Sequence, residues 1–355
     1  MKRGVKHAVM PRRALTEGRD RPSMLENRVG KLRLDMNENL PGCSSKVRAA
    51  LRRLSAEALS MYPEKETAVA RLAPQFGVQA GEMLVVGGID EALRLISDAY
   101  IERGRSVLLV EPTFPMYRFY AEQRDARIHT LRYDEEMGFP LGEVLRALKR
   151  EPAVFFLANP NNPTGNLLDS RGLEKILNAA THTLVVVDEA YFEFSGVTVL
   201  PLIRRRRNLA VTRTFSKAAG LAGLRVGCIF AHRDVAAILK RAQAPFPVGT
   251  VALVAAEAAL KDRAFVRRAA REIRQGRVIL ERGLSRLGVR VFPSAANFVL
   301  VDFGARSLAV TVALERRGIL VRDQASSFKR PGFVRITVGT AKQMRRFLSV
   351  LETIL

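Results

Sequence analysis

The stretch Thr183-Leu184-Val185-Val186-Val187-Asp188-Glu189-Ala190-Tyr191 decides the fold. Four apolar residues, three of them β-branched, run without polar interruption into an aspartate. A strand exposed on one face alternates apolar and polar side chains, whereas one covered on both faces reads as a continuous apolar run. Similar runs recur on both sides of it: MLVVGG (83–88), SVLLVEP (106–112), AVFFLANP (153–160), LAVTRTFSK (209–217) and VGCIFAH (226–232), with amphipathic helical stretches between them. This alternation predicts an α/β fold, a three-layer α/β/α arrangement around a mostly parallel sheet. In such sheets ligands bind at the carboxyl ends of the strands, which is where the polar residues of these runs cluster.

Outward from that core the chain divides into three. Residues 1–30 are polar and basic without periodicity and are expected to form an extended arm lying over something else, a partner subunit being one candidate. Residues 31–245 are expected to form the large domain. Residues 246–355 are expected to form a smaller α+β domain: a basic helical stretch to residue 288, strands at VRVFP, NFVLVDF, GILVRDQ and FVRITVG, and a last helix. That helix opens with Thr340 and Gln343 at capping-box spacing and carries Met344, Phe347, Leu348 and Leu351 on one face.

Composition excludes several classes. With 355 residues, 48% of them hydrophobic, the chain can bury more than one core. Cys43 and Cys228 lie far apart, and His7, His129, His182 and His232 are scattered, so neither a disulfide framework nor a metal site is expected. No run approaches the roughly 18 apolar residues of a membrane span, and a cytoplasmic location is expected. Lys and Arg number 58 against 35 Asp and Glu, a formal charge of +23 that favours anionic partners. Apart from Arg204–Arg207 the basic residues are dispersed, so a solvated basic surface is preferred over nucleic acid as the reading, and small acidic substrates would also benefit from the positive field.

The chemistry gathers at the strand ends. Thr214-Phe215-Ser216-Lys217 sets a lysine beside two hydroxyls, with Arg225 eight residues on. A lysine that forms an imine must be partly neutral, which a nearby cation or desolvation achieves. Arg225 can supply that field while its planar fork, with the hydroxyls of Thr214 and Ser216, holds a phosphate. Asp188 is read two ways: as a helix N-cap, or as the carboxylate that keeps the pyridine nitrogen of an electron-sink cofactor protonated. Tyr191 is correspondingly a packed aromatic or a donor to the ring oxygen. Gly87-Gly88-Ile89-Asp90-Glu91 is a plain strand-to-helix turn or, with its free N–H groups, a phosphate seat. The loop Asn159-Pro160-Asn161-Asn162-Pro163-Thr164-Gly165 can present an asparagine to a ring oxygen, and Phe114 is core or a ring-stacking residue.

Together, LDMNEN (34–39), MYP (61–63), GGIDEAL (87–93), EPTFPMY (111–117), NPNNPTG (159–165), VVVDEAY (185–191), TFSK (214–217), GLAGLRVG (220–227), NFVLV (297–301), GILVRDQ (318–324) and VRITVG (334–339) resemble the fold-type I, pyridoxal-phosphate-dependent aminotransferases, most closely the histidinol-phosphate aminotransferase group. The resemblance covers residues 31–355. It implies that Lys217 binds pyridoxal 5′-phosphate as a Schiff base and moves the substrate proton. By the same resemblance Asp188 meets the ring nitrogen, Asn162 and Tyr191 meet the ring oxygen, and Phe114 stacks on the ring. Ile89, Asp90, Thr214, Ser216 and Arg225 would hold the phosphate, and Tyr62 would reach the cofactor of the other subunit in a homodimer. Arg335 would take the substrate carboxylate with Arg322 as a second anion contact, and Asn37 would line the substrate pocket.

The reaction implied is transfer of an amino group from L-histidinol phosphate to 2-oxoglutarate, giving imidazole acetol phosphate and L-glutamate in histidine biosynthesis. An aromatic or other amino-acid aminotransferase and a threonine-phosphate decarboxylase share most of these motifs. A nucleic-acid-binding regulator would need a DNA-reading module that 30 N-terminal residues cannot fold. Three departures bear on the substrate: Phe114 stands where the group often has tyrosine, Y-P-x-P reads Tyr62-Pro63-Glu64-Lys65, and the arm holds no tyrosine.

Overall fold

In the computed structural model, residues 28–355 are described. Residues 1–27, most of the expected arm, lie outside them; Arg28 is tied back to Asp35 (2.8 Å) and Glu38 (3.0 Å).

The apolar runs form a seven-stranded sheet from β2 (Met83–Val86), β3 (Ser106–Glu111), β4 (Arg127–Arg132), β5 (Val154–Ala158), β6 (Leu184–Asp188), β7 (Leu209–Thr214) and β8 (Gly227–Ala231), in the order β2-β8-β7-β6-β5-β3-β4. All neighbours are parallel except β8, which runs antiparallel to both β2 and β7. The side-chain period of two divides each central strand between two cores. Val185 and Val187 of β6 join Phe155, Leu157, Leu209 and Val211 on one face, while Leu184 and Val186 join Val154, Phe156 and Ala210 on the other. Both faces are apolar because helices cover both, which is why the sequence shows no alternation. The three-layer α/β/α reading holds.

The second sheet has five strands: β1 (Leu32–Leu34), β9 (Arg290–Phe292), β10 (Phe298–Asp302), β11 (Ile319–Asp323) and β12 (Phe333–Thr337), in the order β1-β11-β12-β10-β9. The four strands expected after residue 288 are all present. The helix Ala341–Glu352 behind them opens with the expected capping box at Thr340 and Gln343, and buries Met344, Phe347 and Leu351.

The boundary at residue 31 needs correction. β1 was expected in the large domain, yet it pairs in parallel with β11, Leu32 beside Ile319 and Leu34 beside Val321. Leu32 and Leu34 are buried in the core of the C-terminal sheet with Val334 and Ile336. The reason is geometric: a three-residue strand has too little backbone to stand alone and completes the nearest open edge. The chain then crosses from this sheet to the other over residues 35–39, and that crossing passes through the site.

Candidate active site

The parallel register places Asp188, the last residue of β6, opposite Thr212 of β7. Its carboxylate is buried (5% exposed) and fully engaged. One oxygen accepts from Thr212 Oγ1 (3.1 Å) and from the Ala190 N–H (3.1 Å), the other from Tyr117 Oη (2.7 Å). Burial lifts the Asp188 pKa above the ordinary carboxylate value, while the Tyr117 and Thr212 bonds pull the other way. A cation beside it, such as a protonated ring nitrogen, would secure the charged form. Asp188 is not a helix N-cap; Tyr191 occupies that position ahead of the short helix Phe192–Ser195.

Lys217 follows the end of β7, and its Nζ donates to the Met36 carbonyl (2.9 Å) on the crossing segment. Desolvation, reinforced by the positive field of Arg335, depresses its pKa from 10.5 to about 8. Arg225 lowers it further, by a smaller amount. The amine is thus poised between charged and neutral forms near neutral pH.

A cluster of donors that could hold a phosphate lies where β8 begins, beside the end of β7. Gly88 caps the helix Ile89–Tyr100 with φ +83°, a left-handed conformation, and a Cβ there would sit 2.7 Å from Arg225 Nη2. Only glycine allows the guanidinium to lie against the helix start. Arg225 reaches Ser216 Oγ (3.4 Å) and Asp90 (3.1 Å), and Thr214 Oγ1 accepts from the Ser216 N–H (3.1 Å). Unpaired N–H groups at a helix start, two hydroxyls and a half-exposed arginine are the donor set a phosphate monoester requires.

On the opposite wall, Arg335 of β12 donates to Asn162 Oδ1 (2.6 Å) and to the Asp35 carbonyl (2.5 Å). Its Nε, buried, has no partner. The antiparallel register sets Arg322 of β11 directly opposite Arg335. Like charges facing across a strand pair are destabilising, and burial with Arg322 lowers the Arg335 pKa to about 10. An anion between the two arginines would remove both costs. Tyr191 Oη accepts from Asn37 Nδ2 (3.0 Å), and the Lys217 Nζ lies 5.8 Å from the Tyr191 ring centre.

The structure therefore links Lys217, Tyr191, Asn162 and Arg335 through residues 35–37, keeps Asp188 close enough to act on Lys217, sets Arg322 opposite Arg335, and gathers Asp90, Ser216 and Arg225, with Ile89 and Thr214 adjoining, as a group that could hold a phosphate. Phe114 packs edge-on against Tyr117 (5.6 Å, 82°), which ties it to the Asp188 side of the cleft. Asn37 is placed differently from expectation: it is 1% exposed, and its amide is spent on Tyr191 and Thr337 inside the protein. Tyr62 stands apart, 77% exposed and stacked on Phe246 (4.4 Å). Sequence reasoning missed Tyr117, Thr212 and Thr337. Each lies inside a quoted stretch: Tyr117 in EPTFPMY, Thr212 in LAVTRTFSK and Thr337 in VRITVG. Among the described residues no cluster able to hold a metal ion is found.

The sequence and the fold both have counterparts among known proteins. Residues 29–351 match the family described as aminotransferase class I and II, and the chain belongs to that family. Within it, the chain is 38% identical to histidinol-phosphate aminotransferase of Symbiobacterium thermophilum, over 91% of this chain and 90% of that protein. The solved structure of histidinol-phosphate aminotransferase from Sinorhizobium meliloti in complex with pyridoxal-5′-phosphate superposes with a TM-score of 0.87 at 25% identity, covering 99% of this chain and 100% of that one. L-threonine-O-3-phosphate decarboxylase from Porphyromonas gingivalis gives a TM-score of 0.79 at 26% identity, covering 91% and 98%.

Proposed function

We propose that this aminotransferase uses pyridoxal 5′-phosphate to move the amino group of L-histidinol phosphate to 2-oxoglutarate, a step of histidine biosynthesis. The observation that carries the substrate reading is the Arg322–Arg335 pair, two arginines opposite one another in the strand register, with one buried N–H of Arg335 unspent. Such a pair suits a phosphate or carboxylate, and both proposed substrates carry one.

When bound, the cofactor supplies an electron sink that acidifies the substrate's α-carbon. The residues of the chain do the rest. Lys217 would hold the cofactor covalently and, as a free amine, would take the α proton on Nζ. Asp188, braced by Tyr117 and Thr212, holds the positive charge at the ring nitrogen. Asn162 and Tyr191 address the ring oxygen, Phe114 covers the ring face, and Ile89, Asp90, Thr214, Ser216 and Arg225 retain the phosphate. Arg335 and Arg322 orient the substrate by its anion.

Two copies are proposed to pair over the exposed apolar side chains Leu59, Met61, Tyr62 and Phe246, 51–77% exposed in the single chain, with Tyr62 reaching the partner's cofactor. A cytoplasmic location is part of the same proposal; among the described residues no helix is long and apolar enough to cross a membrane.

Titration of the holoenzyme with single amines tests the substrate. L-Histidinol phosphate is expected to bleach the bound chromophore at lower concentration than L-histidinol or aromatic amino acids. Equal response to the unphosphorylated amine, or release of carbon dioxide from a phosphorylated amino acid, would refute the assignment.

A further inference from the structure

Tyr191, Asn37 and Thr337 form a hydrogen-bonded chain whose direction is fixed from one end. The backbone N–H of Asn37 donates to Thr337 Oγ1 at 3.0 Å, and a backbone amide can only donate. The hydroxyl of Thr337 accepts there, and its own hydrogen goes to Asn37 Oδ1, also at 3.0 Å. With its oxygen committed to Thr337, the Asn37 amide turns its NH2 toward Tyr191 Oη (3.0 Å). The phenol oxygen accepts, and its own hydrogen is left for another partner.

Thr337 is 0%, Asn37 and Asn297 1% and Tyr191 5% exposed, so water cannot stand in for any member. The Asn37 carbonyl accepts from Asn297 Nδ2 (3.0 Å), which pins the backbone as well. Asn37 sits at φ +55°, a left-handed conformation that asparagine tolerates better than most residues. The chain of bonds starts on β12 of the five-stranded sheet and ends at the cleft of the seven-stranded one.

We infer that Thr337 and Asn37 are positioning residues that make Tyr191 a one-way donor, its phenol hydrogen directed into the cleft at the cofactor's ring oxygen. Neither needs to touch cofactor or substrate. The inference rests on the pyridoxal-phosphate reading above, and it accounts for why an asparagine expected in the substrate pocket is buried instead.

The test is the pH midpoint of the visible band of the bound chromophore in reconstituted holoenzyme, read without turnover. Losing a donor to the ring oxygen leaves more charge there and makes the adjoining nitrogen more basic. Tyr191→Phe is expected to raise the midpoint by roughly one unit, the worth of one hydrogen bond. Thr337→Val, which removes only the hydroxyl, raises it in the same direction by less, and Thr337→Ser restores it. Asn37→Asp keeps the backbone conformation but turns the donor into an acceptor that takes the phenol hydrogen, so the midpoint rises again. Combined with Tyr191→Phe, neither Thr337→Val nor Asn37→Asp adds a further shift, whereas a simple charge effect of the aspartate would persist.

If Tyr191→Phe moves the midpoint while Thr337→Val and Asn37→Asp do not, the relay is wrong and the cofactor reading stands. If Tyr191→Phe binds the chromophore with no shift, the phenol is no donor and the inference falls alone. A wild-type protein that takes up no chromophore overturns both.

Discussion

Two arginines of this protein end equally buried, each 8% exposed, and they could hardly be treated more differently. Arg213, on β7, has its guanidinium bonded to the Glu189 carboxylate (2.8 Å) and Thr198 Oγ1 (2.8 Å) and stacked over the Phe192 ring (3.7 Å). Arg335, on β12, meets an amide oxygen and a backbone carbonyl, faces a second arginine across the strand pair, and keeps one N–H unspent. A buried cation that is fully paired belongs to the fold. One left short of a counter-charge is a seat for an anion that arrives with a ligand.

The sharpest way to separate the two roles is to remove the chemistry and keep the seat. Lys217→Ala should lower transamination by on the order of 10³-fold or more, the scale of a lost proton-transferring group. Reduction with borohydride followed by intact-mass measurement should then find no adduct. The same variant should still bind substrate anions through Arg335, so Arg335→Leu in the Lys217→Ala background should abolish that binding. Anion binding unaffected by Arg335→Leu would break the comparison.

Arg213→Leu comes next in size. It strands Glu189 without its cation inside the protein, a change that costs roughly 3–5 kcal/mol in comparable buried pairs. The measurement is denaturant unfolding, and a midpoint close to wild type would show that Arg213 is not the structural member. Arg335→Leu should destabilise less, because no carboxylate is orphaned, while lowering kcat/KM by about 10²-fold, the worth of two charge-assisted bonds. The two variants thus trade places between the stability and the kinetic assay.

These roles were unequally legible in the sequence. Lys217, Asp188 and the Gly87-Gly88 turn stood out because each ends a run whose burial could be inferred from its unbroken apolar character, and strand ends are where such sheets bind ligands. What depends on register was hidden. Arg322 and Arg335 could be named as anion contacts by resemblance, but that they face one another follows only from the antiparallel pairing. The Tyr117–Asp188 bond joins residues 71 apart, and the Thr337–Asn37 bond joins residues 300 apart. No local pattern encodes such a contact. β1 was misassigned for a related reason: three residues carry no signal of which sheet they will complete.

The smallest expected effect concerns the lysine itself and the field Arg335 casts on it. In the folded protein the Lys217 pKa is about 8, against 10.5 as its ordinary value. Between those values the unfolded chain holds a proton at this position that the folded chain has released. Stability then rises with pH. Below about pH 8 both states are protonated and the cost of burying the charge is borne in full; above about 10.5 it is gone. Cofactor-free protein should therefore gain melting temperature from pH 8 toward 10, and Lys217→Met should flatten that slope. Arg335 is the second-largest cause of the depression, after burial. Arg335→Leu should accordingly move the midpoint for capture of a carbonyl compound by Lys217 upward from about 8, whereas Arg213→Leu should move it less, because Arg213 is not among the charges that act on Lys217. Equal shifts from the two substitutions would mean that the lysine senses net charge rather than Arg335 in particular.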